Sequence, residues 1–453
     1  MPNDTDSREI KMKPLHCRGT RSKSTAERLG RRAASALATL LMIVVIAGCD
    51  SLLEVTLPGQ LEEPDLDDPA LAATLSLGAQ GDFECALSAW AWQDALWVQE
   101  LHSTDIIRTR NLVAARLPEV RFLVGTDATF AQLGCTSENP PPMWYPFHGS
   151  RFVAEDAASR IQGWQDDGID IPDADFLTGQ ALAYAGYSTQ LLSEGFCEVA
   201  FDLGPVQSRE EGMQRALDRF QTALGHLNQV TGASADRAQE LIHMVHVGMA
   251  RAHLNLGNDS EVLNYAGQVP EGFVEYAGRS SSEARRWNRV YNLTRPESQA
   301  ISVGEENLEI EVDGVPDPRI QAVHTGLGSD GFSEHYQPLK YQSRGDDIPF
   351  ASWREAQLMI AEVEGGQTAV DVINALRATY DLPEFSSSDE AEIRETLIEE
   401  RRRELWLTGT HLADILRLDL PLQTSGTTRQ GEPFGDLTCM PIPELEVLGN
   451  PNL

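Results

Sequence analysis

The chain has 453 residues, 41% of them hydrophobic and 23% charged, which allows more than one minimal core. Its net charge of −33 is uneven: residues 1–48 hold nine Lys or Arg against four Asp or Glu, leaving 27 basic and 65 acidic residues beyond them. So acidic a body repels nucleic acid and anionic membrane surfaces, and no nucleic-acid partner is expected.

At the amino end, Arg31-Arg32 precede an apolar run from Ala33 to Ile46. That run is too short for a membrane-spanning helix, which takes about 20 residues. A basic flank, a short apolar core and a small-residue boundary make a secretory signal. The run ends Ile46-Ala47-Gly48-Cys49, which resembles the lipobox of bacterial lipoproteins. The resemblance implies cleavage before Cys49 and a diacylated thioether on its sulfur, a lipid anchor to a membrane. Residues 1–48 therefore read as a signal peptide with a basic extension. Residues 49–68, acidic and punctuated by proline, read as a tether to a body over 69–453.

Four cysteines remain in that body: Cys85, Cys135, Cys197 and Cys439. An even number in an oxidising compartment suggests two disulfides among three connectivities. The expected pairs are Cys85 with Cys135, and Cys197 with Cys439, the second tying a helical hairpin to the tail. No two are close enough for a CxxC knuckle, and no metal or cofactor is expected.

Helical spacing begins near Asp68, pauses at Gly78, and resumes from about Leu87 to Ile107. A loop ending Pro140-Pro141-Pro142 leads to a helix from Phe147 to Trp164. Apolar residues three and four apart then predict helices over Ala174–Glu194, Glu210–Val230, Asp236–Asn255 and Ser260–Val269. Gly232, Gly257 and Pro270 punctuate them. Ala216, Phe220 and Ala223 match the second helix of a tetratricopeptide repeat, where small residues admit a partner helix and the ring fills the groove.

From Glu271 to Phe350 the pattern breaks into Gly, Ser, Asp and Pro, with one alternating run, Leu308–Val312. Eighty residues without long helices inside a helical body suggest a functional insertion. Helices return at Ser352–Glu364, Thr368–Tyr380 and Ser388–Leu407, the last starting near Ser388. Pro441-Ile442-Pro443 reads as extended.

Several blocks, in order, resemble the SusD/RagB family of outer-membrane nutrient-binding lipoproteins. They are Ser51–Val55 after the lipid cysteine, Trp144 with the helix from Phe147, Asp317-Pro318-Arg319, Lys340-Tyr341, Trp353–Leu358 with Ala361-Glu362, and Val372–Arg377. The run Glu399–Leu405 with Gly409, Asp414 and Arg417, and the tail Pro441–Pro443 with Glu446 and Asn450-Pro451, complete them. Thr408 and His411 depart from the family pattern. The resemblance implies a mainly α fold: about four tetratricopeptide-like helix pairs in one superhelical body, with a loop-rich face. It also implies a partner, a SusC-like TonB-dependent outer-membrane transporter, and an oligosaccharide or peptide ligand captured at the cell surface.

Candidate ligand residues come from irregular segments. Trp287, Asn288 and Tyr291 lie in an Arg- and Asn-rich stretch of the insertion, and Asp105, Arg108, Arg110 and Asn111 follow the early helices. Aromatic rings offer apolar faces for sugar C–H groups. The other tryptophans sit in helical patterns and read as core. The Glu399–Glu404 run reads as a solvated helix face with arginines paired three or four residues away. His243, His246 and His253 share a helix face and read as core or groove histidines. No H-E-x-x-H, G-x-S-x-G or phosphate loop occurs, so no catalytic residue is assigned. Two readings stand beside nutrient binding: a lipid-anchored hydrolase on a helical scaffold, and a scaffold for protein partners.

Overall fold

The computed structural model describes residues 63–104, 119, 121, 144–423 and 425–453. The signal, the lipid site Cys49 and the tether to residue 62 lie outside the described residues.

Helix α1 (Ala72–Trp97) is the first long element. The expected break at Gly78 does not occur, and the second stretch ends at Trp97, not near Ile107. Gly78 and Gly81 stand where no neighbour packs, so these glycines interrupt no contact. Strand β1 (Leu101–Ser103) follows at once. Then come α2 (Trp144–Asp166), α3 (Ala174–Gly195), α4 (Arg209–Leu227), α5 (Ala235–Asn255) and α6 (Asp259–Ala266), each packed on its predecessor.

Local sequence explains these helices. Ser208 caps α4 by accepting from the Glu211 amide while the Glu211 carboxylate accepts from the Ser208 amide, a capping box. Phe220 of α4 is fully buried between two glycines. A Cβ at Gly186 of α3 would lie 2.5 Å from its ring, and one at Gly248 of α5 2.6 Å away. Close approach of three helices around one ring is the repeat-type packing that Ala216, Phe220 and Ala223 predict.

The insertion holds more strand than its one alternating run suggests. Strand β2 (Val274–Ala277) is followed by helix α7 (Arg289–Thr294), then β3 (Ile301–Val303), β4 (Glu311–Val312), β5 (Val315–Pro316), β6 (Ala322–Leu327), β7 (Glu334–Pro338) and β8 (Ile348–Ser352). They form antiparallel two-stranded ribbons: β1 with β3, β2 with β8, β4 with β5, β6 with β7. In the run Leu308–Val312 only Glu311-Val312 is strand, because Glu309 takes a positive φ of 55°. Asp313 and Gly314, both at positive φ, turn the chain into β5, the geometry of a two-residue hairpin.

The late helices are α8 (Trp353–Glu364), α9 (Gly366–Ala378), α10 (Glu390–Glu404), α11 (His411–Leu418) and α12 (Glu444–Gly449). Asp389, not Ser388, caps α10 by accepting from the Ala391 and Glu392 amides. Leu358, Ile373 and Leu397 join α8, α9 and α10 in a core of their own. A larger core gathers Trp90, Trp92, Trp97, Trp144 and Trp406 with Phe220. The described residues from Asp67 onward form one compact unit.

The Glu399–Glu404 run differs from the expected solvated face. Glu399 does take Arg402 and Arg403 at helical spacing. Glu400, however, is buried and accepts from Arg319 at 2.7 Å and Arg377 at 2.6 Å, while Arg401 is buried against Asp414 at 2.8 Å. The run therefore fastens α10 to the insertion, to α9 and to α11.

One disulfide joins Cys197 to Cys439, which binds the hairpin after α3 to the tail as expected. Cys85 is also disulfide-bonded. Its expected partner, Cys135, lies outside the described residues.

Candidate functional site

The segment that holds Trp287 is fixed to α1 through one hydroxyl. Ser88 Oγ donates to the Trp287 carbonyl and accepts from the Arg289 amide, both at 3.0 Å. Trp287 ends a short 3₁₀ turn, Ala284–Arg286, and Asn288 starts α7. The backbone of this irregular segment is thus held by a rigid helix, which suits presentation of a side chain.

Trp287 is half-buried. Its Nε1 donates to the Ser281 carbonyl at 3.2 Å, and the Arg344 guanidinium lies 4.0 Å from the ring centroid. Arg344 Nε donates to Asn292 Oδ1 at 2.9 Å, and Arg295 donates to the same oxygen at 2.6 Å. An indole, two guanidinium groups and an amide thus share one face. Nearby carboxylates are engaged. Asp82 pairs with Arg285, and Glu84 accepts from Gln80 at 2.8 Å and pairs with Arg279 at 3.3 Å. Burial raises the Asp82 carboxyl and Arg285 opposes it. Burial lowers Arg279 to about 10, with Glu84 opposing.

The other candidates divide. Asn288 is 0% exposed; its Oδ1 accepts from the Tyr291 amide and its Nδ2 donates to the Asp346 carbonyl. Both ends of that amide serve the fold, which corrects its assignment to the ligand face. Tyr291 is half-buried against the main core. Asp105, Arg108, Arg110 and Asn111 lie outside the described residues.

The histidine row on α5 packs along α6. His253 stacks on Tyr265 with ring centroids 5.7 Å apart, and His246 lies 5.9 Å from the same ring. Burial lowers His246 to about 4, helped by His243. Among the described residues no group of three or more His, Cys, Asp or Glu is arranged to hold a metal ion. No described helix is long and apolar enough to cross a membrane.

Residues 291–445 match the family model of the SusD family. The match spans 155 of the 453 residues, the part that holds the late helices and most of the insertion's strands. Solved SusD-type structures share its fold at low identity. A SusD-like carbohydrate binding protein from Bacteroides vulgatus ATCC 8482 is 14% identical, covering 85% of this chain and 97% of its own, with a TM-score of 0.58. A SusD superfamily protein from Bacteroides fragilis is 11% identical, covering 85% and 99%, with a TM-score of 0.61. A SusD homolog from Bacteroides thetaiotaomicron VPI-5482 is 13% identical, covering 87% and 98%, with a TM-score of 0.61. The comparison with curated proteins gives no match. In SusD terms the matched region runs from α7 to the tail. It begins at Tyr291, just past Trp287.

Proposed function

We propose that this chain is a SusD-family, lipid-anchored, outer-membrane binding protein that captures oligosaccharides outside the cell and delivers them to a TonB-dependent transporter. The observation that carries the reading is the Trp287 face on a SusD fold. An indole braced by Arg344 offers a flat surface to sugar C–H groups, and guanidinium and amide groups beside it suit hydroxyl oxygens. The solved relative from Bacteroides vulgatus bears the name carbohydrate binding protein, which supports the ligand class. Binding without turnover fits the same face, because Asp82 and Glu84 are held by arginines and do not form a free carboxylate pair. The anchor rests on Cys49 behind its apolar run.

Two experiments test this. A glycan and peptide array on the purified chain should return oligosaccharides; a peptide-only result overturns the ligand class. Labelled palmitate should enter the wild type and not Cys49→Ala, and the variant should leave the membrane fraction. Membrane retention of the variant, with no label in the wild type, removes the anchor.

A further inference from the structure

Apart from the Trp287 face, a cleft lined by different residues opens between the insertion and the late helices. It measures about 250 Å³ and is lined by the edges of β2 and β8 together with Lys340, Arg354, Tyr380 and Glu404. That is below the roughly 300 Å³ where drug-sized pockets begin, so it suits one sugar ring or something smaller.

Charge in this cleft does not cancel. Glu404 Oε1 accepts from Arg354 Nη1 and from the Tyr380 hydroxyl, each at 3.1 Å. Glu404 and Arg354 thereby neutralise one another. Arg319, which reaches to 3.6 Å from Glu404 Oε2, is itself held by Asp317 and Glu400, each at 2.7 Å. Lys340 is the exception. It is the only lysine after residue 48, in a chain that otherwise uses arginine. Its ammonium donates to the Trp406 carbonyl, and among the described residues it forms no ion pair. Burial lowers it to about 8, while Glu404 and Glu100 act from a distance to raise it, so it stays protonated near neutrality. Glu355, the other carboxylate of the lining, is taken by Arg251 at 2.7 Å, so Lys340 is left as the lining's one cation without a paired carboxylate. The cleft also carries an unused acceptor: Glu404 is buried, and its Oε2 accepts no hydrogen bond. At the rim, Tyr276 is 46% exposed.

We infer that this cleft binds a single sugar acid, its carboxylate on Lys340 and a hydroxyl donating to Glu404 Oε2. A carboxylate supplies the missing negative charge in a partly dry site, where charge-assisted hydrogen bonds are strongest. Hydroxyl groups suit the remaining polar atoms because each both donates and accepts. The ring of Tyr276 offers an apolar face to the pyranose. A free amino acid fits less well: its ammonium would enter beside Lys340 and Arg354, and the nearest counter-charge is already held by Arg354. The inference rests on the geometry of this cleft and not on the Trp287 face.

The test is calorimetric titration of the full-length chain with glucuronate, glucose and alanine. Glucuronate should bind at least tenfold more tightly than either of the others. Lys340→Met should abolish that preference, and Lys340→Arg should keep part of it. A second measurement needs no variant. Glucuronate should slow acetylation of Lys340 by an amine-reactive ester, read by peptide mass spectrometry, while glucose at the same concentration leaves the rate unchanged. Equal affinity for glucuronate and glucose, preference for alanine, or unshielded Lys340 would each overturn the proposal. The array result on oligosaccharides bears on Trp287 and leaves this outcome independent.

Discussion

The indole of Trp90, in α1, donates to the carbonyl oxygen of Gly409, 319 residues later, at 2.6 Å. The same ring fills the space in which side chains at Gly195 and Gly409 would stand. Gly409 also has a φ of +84°, where residues with a Cβ are strained. Gly409→Ala meets both penalties, strain and overlap with Trp90. Together they should cost about 2–4 kcal/mol. Chemical denaturation should show the loss as a lower midpoint at unchanged slope. A variant as stable as the wild type would mean that Trp90 is not fixed as described.

The Cys197–Cys439 disulfide closes a loop with a sequence separation of 242. Cross-links over long loops stabilise by restricting the unfolded chain, typically by about 2–4 kcal/mol. Backbone bonds hold the same junction, from the Cys197 amide to Met440 O at 2.8 Å and from the Met440 amide to Gly195 O at 3.0 Å. The double variant Cys197→Ser, Cys439→Ser should therefore melt earlier yet keep its tail docked. Hydrogen exchange at the amides of residues 197 and 440 is the readout, and immediate exchange there would show that the disulfide alone holds the tail.

Glu194 is buried near Arg251, and burial raises its carboxyl to about 7, with Arg251 opposing and Glu355 adding to the rise. A carboxyl raised in the folded state binds its proton more tightly there than in the unfolded chain. Its stabilising protonation is fully present below about 4.5 and is lost as pH climbs toward 7. Glu194→Gln removes that penalty. The variant should match the wild type near pH 4 and exceed it by roughly 1–3 kcal/mol at pH 8. Denaturation at both pH values decides it: an equal difference at each would rule out Glu194 as the titrating group.

Much of the helical body is legible in the sequence. The physical reason is visible at Phe220, where apolar spacing of three and four meets small residues on both sides. The continuity of α1 is less legible. Gly78 looks like a break, but nearly the whole second half of the helix is buried, and tertiary packing overrides a weak propensity. The strands of the insertion are short, and two of the ribbons join segments far apart, as Leu101 pairs with Val303 and Val274 with Ser352, so local alternation does not announce them. The sites divide in the same way. Trp287 stands out as an aromatic in an irregular stretch, but Arg344 reaches its ring from 57 residues away, and no local pattern foretells that. Glu404 is hidden more deeply, because a run of Glu and Arg reads as a solvated face. It is buried because Arg319, Arg354 and Tyr380 converge on it from separate elements. The one hint available was the isolation of Lys340 among arginines.

Trp287 offers the sharpest separation of binding from folding. Its backbone, not its ring, receives the Ser88 bond that fixes the segment to α1, and Asn288 caps α7 whatever side chain precedes it. Trp287→Ala keeps both. It loses the Arg344 contact, worth about 0.5–1 kcal/mol at a partly exposed site, and the bond to Ser281, so the melting temperature should fall by only a few degrees. Ligand affinity should fall further, by roughly 1–3 kcal/mol, as aromatic anchors in binding sites commonly do. That is about tenfold or more in dissociation constant. Arg344→Met separates the two roles of the guanidinium. The apolar stem still covers the ring, but the charge and the bond to Asn292 are gone. If the sugar stacks on the indole, Trp287→Ala should weaken binding more than Arg344→Met does, with both proteins folded. The reverse order would place recognition on the guanidinium and leave Trp287 as its platform. Unchanged affinity in both, measured on the oligosaccharide the array returns, would clear this face of any part in binding.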